Sequence, residues 1–308
     1  MKYELHPTVI SLLIGLTILA AALITPVQSC AKAQTQSETS PRAVVLIQSA
    51  TSPSDAGLYR HLLPALESDT GIDVRVVAVG SGQAFKNASN CDADIVITHD
   101  AEGEEAFIRD GYGTIRHDLM YNDFLIVGPE ADPARLRAAQ SVTDALHRIA
   151  STQSTFISRG DDSGTHRKEL QSWHDTGIDP ATSGQRWYRE VGSGMGATLT
   201  IAAELSAYTL SDSATWTRFG NKTGVAVAFS DTEDLHNPYA IIPVSNLTCP
   251  SVNDTAAAKV VAWFLSPRGQ KQIANYRING RPLFFTSRGN ASKIDQPAPH
   301  HRSHRTID

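Results

Sequence analysis

The chain has 308 residues, 41% of them hydrophobic and 19% charged, and a formal net charge of −5. This length suits two lobes or one large domain, and the ordinary globular composition excludes disorder as the theme. The acidic balance argues against nucleic acid as a partner, and no cysteine or histidine spacing resembles a structural zinc site.

Residues 1–33 differ in character from the rest. Lys2 precedes an apolar stretch from Thr8 to about Val27, and the small residues Ala31-Lys32-Ala33 follow. The pattern predicts a secretory signal peptide cleaved after Ala33. Lipoprotein processing at Cys30 is the second reading, and an uncleaved anchor the third, because the run approaches the ~20 residues that span a bilayer. Cleavage removes Lys2, Lys32 and Glu4 and moves the formal charge from −5 to −6. It leaves Cys91 and Cys249, an even pair that an oxidising compartment permits to form a disulfide.

Further on, β-favouring runs alternate with helix-like segments. Val44-Val45-Leu46-Ile47 predicts a buried strand, and Leu58, Leu62 and Leu66 mark one helix face at i, i+4, i+8. Val74 to Val79 is the next strand, ending at Gly80-Ser81-Gly82-Gln83. Ile95-Val96-Ile97 follows, ending at Thr98-His99-Asp100 before a Glu-rich helix. Phe124-Leu125-Ile126-Val127 closes this block at the Gly128-Pro129 break. The pattern repeats through a helix near 143–150, the run Thr155-Phe156-Ile157 and a Gly-rich turn at Gly192-Ser193-Gly194-Met195-Gly196. That turn lacks the full dinucleotide fingerprint. Tyr239-Ala240-Ile241-Ile242-Pro243 reads as another strand, and helices over 254–265 and 267–276 complete the order. The alternation predicts an α/β fold with mixed, mostly parallel sheets and helices on both faces. Residues 291–308, with their His-rich run, read as a flexible tail, and the five N-x-S/T sequons (Asn87, Asn221, Asn246, Asn253, Asn290) as incidental in a bacterial protein.

The most informative stretch is Ser158-Arg159-Gly160-Asp161-Asp162-Ser163-Gly164-Thr165-His166. It runs from a strand through a polar turn into a helix. Its glycines let backbone N–H groups approach a ligand, Ser163 and Thr165 add hydroxyl donors, and Arg159 adds a positive fork. Together with a helix N-terminus, this set makes an oxyanion receptor. Asp161 and Asp162 are assigned structural work, one as a helix cap and the other holding Arg159 or the loop amides. Ser49/Thr51/Ser52, Ser81/Gly82 and Ser163/Gly164/Thr165 each follow a strand and open a helix, so three helix starts converge on one anion. Ser and Thr are also common N-caps. A Ser163–His166–Asp triad is set aside, because neighbours in sequence rarely form one and no G-x-S-x-G elbow is present.

These residues resemble the periplasmic tungstate-binding proteins of ABC uptake transporters, the TupA-like family, from about Leu46 to Phe285. The resemblance is carried by Val77-Ala78-Val79-Gly80-Ser81-Gly82-Gln83-Ala84, Asp92-Ala93-Asp94-Ile95-Val96, Gly111-Tyr112-Gly113, Met120-Tyr121-Asn122-Asp123-Phe124, the Ser158–His166 motif and Gly194-Met195-Gly196-x-Thr198. It implies a two-lobed periplasmic-binding-protein fold that closes on its ligand. Lobe 1 is then about 42–127 plus 239–290, and lobe 2 about 128–238.

The resemblance further implies an oxyanion held by a Thr-Thr-Thr-Ser turn and by the Arg and Thr of the long motif. Here the turn reads Ser49-Ala50-Thr51-Ser52, one hydroxyl short at Ala50, while Arg159 and Thr165 match. Ser213-Ala214 replace the family's usual Arg-Gly after Asp212. The expected ligand set is Ser49, Thr51, Ser52, Ser81, Arg159, Ser163, Gly164 and Thr165. Tungstate is bound through its oxygens, with no direct protein–metal ligand, no catalytic residue and no cofactor.

The expected partner is a transporter permease, and the expected state a monomer in the periplasm or on the extracellular face. Molybdate and phosphate are the rival ligands, with Asp161 or Asp162 supplying the acceptor that a protonated phosphate requires. A Ser163/His166 hydrolase and an adhesive Arg159-Gly160-Asp161 loop are the rival functions.

Overall fold

A computed structural model describes residues 42–181, 186–231 and 233–286; the leader with Cys30 and the tail lie outside these residues. The apolar run at 44–47 forms the first half of strand β1 (Val44–Ala50). On either side of it lie β2 (Asp73–Val79) and β3 (Ile95–Thr98), both parallel to it. Between β1 and β2 the chain makes a short helix, α1 (Thr51–Asp55), and a longer one, α2 (Leu58–Thr70). Leu58, Leu62 and Leu66 are buried, as the i, i+4, i+8 spacing requires. Left-handed Gly71, whose N–H bonds the Glu67 carbonyl, ends α2. Helix α3 (Ser81–Ser89) joins β2 to β3, and α4 (Ala101–Arg109) follows.

Antiparallel pairing takes over beyond β3. Strand β4 (His117–Pro129) is far longer than its apolar run, because His117–Asp123 pair with a strand that returns much later in sequence. After it come α5 (Val142–Thr152), β5 (Phe156–Ser158), α6 (Gly164–Asp175), β6 (Tyr188–Glu190), α7 (Met195–Glu204), β7 (Thr209–Asp212), α8 (Ser213–Arg218), β8 (Val225–Phe229) and the returning strand β9 (His236–Pro243). Helices α9 (Asp254–Leu265) and α10 (Pro267–Asn275) and the short strands β10 (Arg277–Ile278), β11 (Arg281–Pro282) and β12 (Phe285–Thr286) follow.

The main sheet runs β12-β4-β9-β3-β1-β2, with β7 and β8 on the second half of β4. It is mixed, as expected, but its parallel share is smaller than the alternation suggested. Among the described residues, parallel strand pairs are β1–β2, β1–β3 and β5–β6, with one isolated parallel bridge between Phe156 and Tyr208, and every partner of β4 is antiparallel. Alternation counts elements but does not order them. Here β9 inserts between β3 and β4, where no helix crossover precedes it.

Side chains from the first and last parts of the chain, among them Ile47, Leu62, Ile95, Ile241, Val260 and Phe264, form one core. A separate core gathers Phe124, Ile126, Leu146, Ile149, Phe156, Trp173 and Tyr208. Cys91 and Cys249 form a disulfide, with Cα atoms 5.2 Å apart, that ties the end of α3 to the loop before α9. Among the described residues no helix is long and apolar enough to cross a membrane.

A buried acid lies against the second core. Glu169 on α6 is 3% exposed and accepts a hydrogen bond from the Tyr188 hydroxyl at 2.8 Å. Burial pushes its pKa from 4.5 to about 8, above its value in the unfolded chain. The folded state therefore holds a proton that the unfolded state gives up. This contribution to stability is complete below pH 4.5 and is lost as pH rises toward 8, at no more than about 1.4 kcal/mol per pH unit. Glu169→Gln keeps the acceptor oxygen and cannot ionise. Urea denaturation is expected to show it gaining on the wild type between pH 5 and pH 8.5, whereas a constant difference across that range would exclude a neutral Glu169.

Candidate anion-binding site

The carboxyl ends of β1, β2 and β3 open at 50–52, 80–82 and 98–100, the last of these in front of the N-terminus of α6. Contact is close: a Cβ on Gly164 would lie 2.8 Å from His99 Nε2, so only glycine fits there. Gly80 lies against the Asp161 carbonyl and Ser163. The donor-rich motif therefore faces the ends of the parallel strands.

Arg159 is 2% exposed. Its Nη2 donates to Asp161 Oδ2 at 2.6 Å and its Nη1 to Thr165 Oγ1 at 3.4 Å, while Nε is buried with no partner among the described residues. Asp161 Oδ1 also accepts from the Ser163 N–H at 3.3 Å, so this carboxylate holds both Arg159 and the loop. Asp162, at φ +54°, takes Arg167 instead, with Nε and Nη2 at 3.0 and 3.1 Å. Asp161 thus does the holding expected of one aspartate, but neither aspartate caps the helix as expected of the other: the cap is Ser163, whose Oγ accepts from the His166 N–H at 3.3 Å, and Asp162 is drawn to Arg167.

The other expected ligands divide into two groups. Ser52 and Ser81 are fully buried, and neither hydroxyl oxygen has a hydrogen-bond partner among the described residues. Thr51 heads α1, half-buried, and Thr165 and Gly164 lie buried in the first turn of α6. Ser49 differs, because its hydroxyl lies 2.5 Å from the Tyr59 hydroxyl and donates to the Ala50 carbonyl at 2.9 Å, inside the first core.

Sequence reasoning missed a buried polar chain beside this group. Asp212, the N-cap of α8, accepts from the Thr215 N–H at 2.8 Å and from Asn122 Nδ2 at 3.4 Å. Asn122 Oδ1 accepts from Asn237 Nδ2 at 2.6 Å, and Asn237 Oδ1 faces His99 Nδ1 at 2.7 Å. The carboxylate can only accept, so the chain has one polarity and His99 Nδ1 must donate. Burial holds His99 below its ordinary pKa, which keeps the ring neutral with its Nε2 lone pair toward α6. Asp212 Oδ2 and Thr215 Oγ1 are buried and unpartnered among the described residues. Asn122 belongs to Met120-Tyr121-Asn122-Asp123-Phe124, and an Asn facing inward from an apolar strand was the available signal.

Two rival readings fail on geometry. Ser163 bonds the backbone of His166, not its ring, and His166 Nδ1 accepts from the Asp162 N–H at 3.1 Å. No nucleophile–base pair is made. An adhesive loop needs an exposed arginine, which Arg159 is not.

Comparisons with known proteins give the family of the chain. The chain matches the PBP superfamily domain over residues 31–268. It is 37% identical over 283 residues to the tungstate-binding protein TupA of Peptoclostridium acidaminophilum, covering 89% of this chain and 96% of that one. It resembles the crystal structure of the tungstate ABC transporter from Geobacter sulfurreducens with a TM-score of 0.69 at 42% identity, covering 76% of this chain and 98% of that chain. The tungstate-binding protein TupA from Desulfovibrio alaskensis G20 gives 0.69 at 38% identity, covering 79% and 98%. The chain has the periplasmic-binding-protein fold and belongs to the TupA family of the PBP superfamily.

Proposed function

We propose that the protein is the substrate-binding component of an ABC uptake transporter and that it captures tungstate without catalysis. One observation carries this reading: Ser52 Oγ, Ser81 Oγ, Arg159 Nε and Thr215 Oγ1 are all buried without hydrogen-bond partners among the described residues, on or beside helix N-termini. Unmade hydrogen bonds on buried groups cost about 1–3 kcal/mol each, so such groups persist where a ligand completes them. A tetrahedral dianion with no proton only accepts, and this set mostly donates. Each charge-assisted hydrogen bond contributes roughly 1.5–3 kcal/mol, and several together offset the dehydration of the anion.

Ser52, Ser81, Arg159, Gly164 and Thr165 supply the contacts in this reading, with Thr51 and Ser163 at the edges and Thr215 added to the expected set. Ser49 supports the turn through Tyr59. Tungstate and molybdate fit the donors equally. A second reading, a singly protonated anion such as hydrogen phosphate, rests on Asp212 Oδ2, the buried acceptor beside the donors. Asp161 and Asp162 are already engaged and do not serve it. Titration calorimetry against tungstate, molybdate, sulfate and phosphate is expected to rank the first two far ahead. Arg159→Ala is expected to weaken tungstate by at least ~100-fold, from about 3 kcal/mol of lost charged contacts, in a protein that stays folded. Unchanged affinity would remove Arg159 from the site.

The reading includes closure of two lobes, 42–127 plus 239–290 and 128–238, although the second core also takes Phe124 and Ile126 from the end of the first segment. The bridge from Arg167 Nη1 to Asp100 Oδ2 at 2.6 Å, between α6 and the cap of α4, is the kind of contact that closure makes. Small-angle scattering is expected to show a smaller radius of gyration with tungstate than without it. An identical radius in both conditions would favour a preformed pocket.

Export to the periplasm, as a monomer that meets its permease, completes the proposal. Intact mass of protein recovered from cells is expected to begin after Ala33. A diacylglycerol-bearing Cys30 at the N-terminus would assign it to the membrane face instead.

A further inference from the structure

A second cationic feature lies outside the buried site. Where α1 gives way to α2, a cavity of about 220 Å³ is lined by Gly57, Arg60, His61, Arg218 and Tyr276. Its parts come from distant stretches of chain, the start of α2, the end of α8 and the residue after α10. They pack tightly, because a Cβ on left-handed Gly57 would lie 2.6 Å from Arg218 Nη1 and 2.8 Å from the Tyr276 hydroxyl. Both of those groups donate to the Ala56 carbonyl, Arg218 at 3.4 Å and Tyr276 at 2.6 Å.

That carbonyl uses one of the five guanidinium N–H groups of Arg218, and no other hydrogen bond of Arg218 is formed among the described residues. Arg60 is exposed. Lys222 lies against α8, its Nζ bonding the Thr217 carbonyl at 3.2 Å and sitting over the Trp216 ring, and the charge of Arg281 reaches it. Among the described residues none of these four cations is in an ion pair with a carboxylate, in a chain whose formal charge is −5. Holding like charges together costs free energy, and a counter-ion relieves it. The space exceeds the ~30 Å³ of one water several-fold, which admits a small hydrated anion.

The cavity is within electrostatic range of the buried site. Asp55, the last residue of α1, feels both Arg218 and Arg159, and the first residues of α1 are Thr51 and Ser52. One short helix thus separates the exposed cations from the buried donors.

We propose that this cavity is an outer anion site, where Arg60 and Arg218 hold a dianionic tetrahedral oxyanion before it passes to the buried donors. The inference rests on the reading of the buried site as an oxyanion receptor and adds to it a step of capture. The buried donors, whose cation Arg159 is countered by Asp161, make a tight site but exert little pull at a distance, and the net negative charge repels a dianion. A local patch of unpaired arginines reverses that repulsion where the anion arrives and raises its association rate.

Stopped-flow tryptophan fluorescence with tungstate, using the full mature chain, tests this. Removing two charges by Arg60→Gln with Arg218→Gln is expected to lower the association rate ~3–10-fold at ~20 mM salt, while the dissociation rate stays the same. At ~500 mM salt, where the screening length is a few ångströms, the difference is expected to vanish. Lys259→Gln, an exposed charge on α9, serves as the control and is expected to leave the rate unchanged. Because Arg218 also touches Ala56, Arg60→Gln alone is the second variant, with a smaller effect of the same sign. Association unchanged in both arginine variants, or lowered equally at both salt concentrations, would overturn the outer site. Wild-type protein that binds no oxyanion would instead overturn the function proposed above.

Discussion

The structure depends on how a guanidinium is kept almost wholly out of water. Arg159 is 2% exposed, and Asp161 neutralises it from one side only, through Nη2. The Asp161 carboxylate in turn binds the Ser163 N–H, which orients the loop leading into α6. One aspartate thus fixes both the charge and the helix start, and the Nε edge of the guanidinium is left for another acceptor. A buried cation with a single counter-charge is poorly compensated. The surrounding hydroxyls, which can donate as well as accept, suit a site whose net charge changes as an anion comes and goes.

How much of this was legible depended on whether the signal was local. The face Leu58–Leu62–Leu66 and the strand at 44–47 were readable because periodicity within a window decides which side is buried. The Ser158–His166 motif was readable because its chemistry lies in consecutive residues. The antiparallel half of the sheet was not, since pairing of β4 with β9 joins residues more than a hundred positions apart. Ser49 looked equivalent to Ser52, and only the three-dimensional position of Tyr59 shows one hydroxyl consumed and the other free. His99, Asn122, Asn237 and Asp212 come from four strands or strand ends, so their chain of hydrogen bonds has no linear signature.

The aspartates illustrate a related point. Two carboxylates beside an anion receptor look contradictory until their partners are known. Asp162 is spent on Arg167 at the surface and Asp161 on Arg159 beneath it, so each carboxylate restrains an arginine and a loop. Asp212 differs, because its Oδ1 accepts two hydrogen bonds and its Oδ2 none among the described residues, and in the proposed reading this one atom separates the preference for a bare dianion from tolerance of a protonated one. Selectivity of such a receptor then depends on a few acceptor atoms as much as on its many donors.

Strands β4 and β9 lie antiparallel side by side, and Asn122 and Asn237 stand opposite each other in their register. Among the described strands β4 alone passes from one core to the other, with Met120 in the first and Phe124 in the second. The Asn122–Asn237 hydrogen bond sits beside that passage, inside the sheet, so the polarity of the chain that ends at His99 is fixed by the backbone pairing itself. The imidazole is thereby set in one tautomer, with an acceptor rather than a donor on the side of α6.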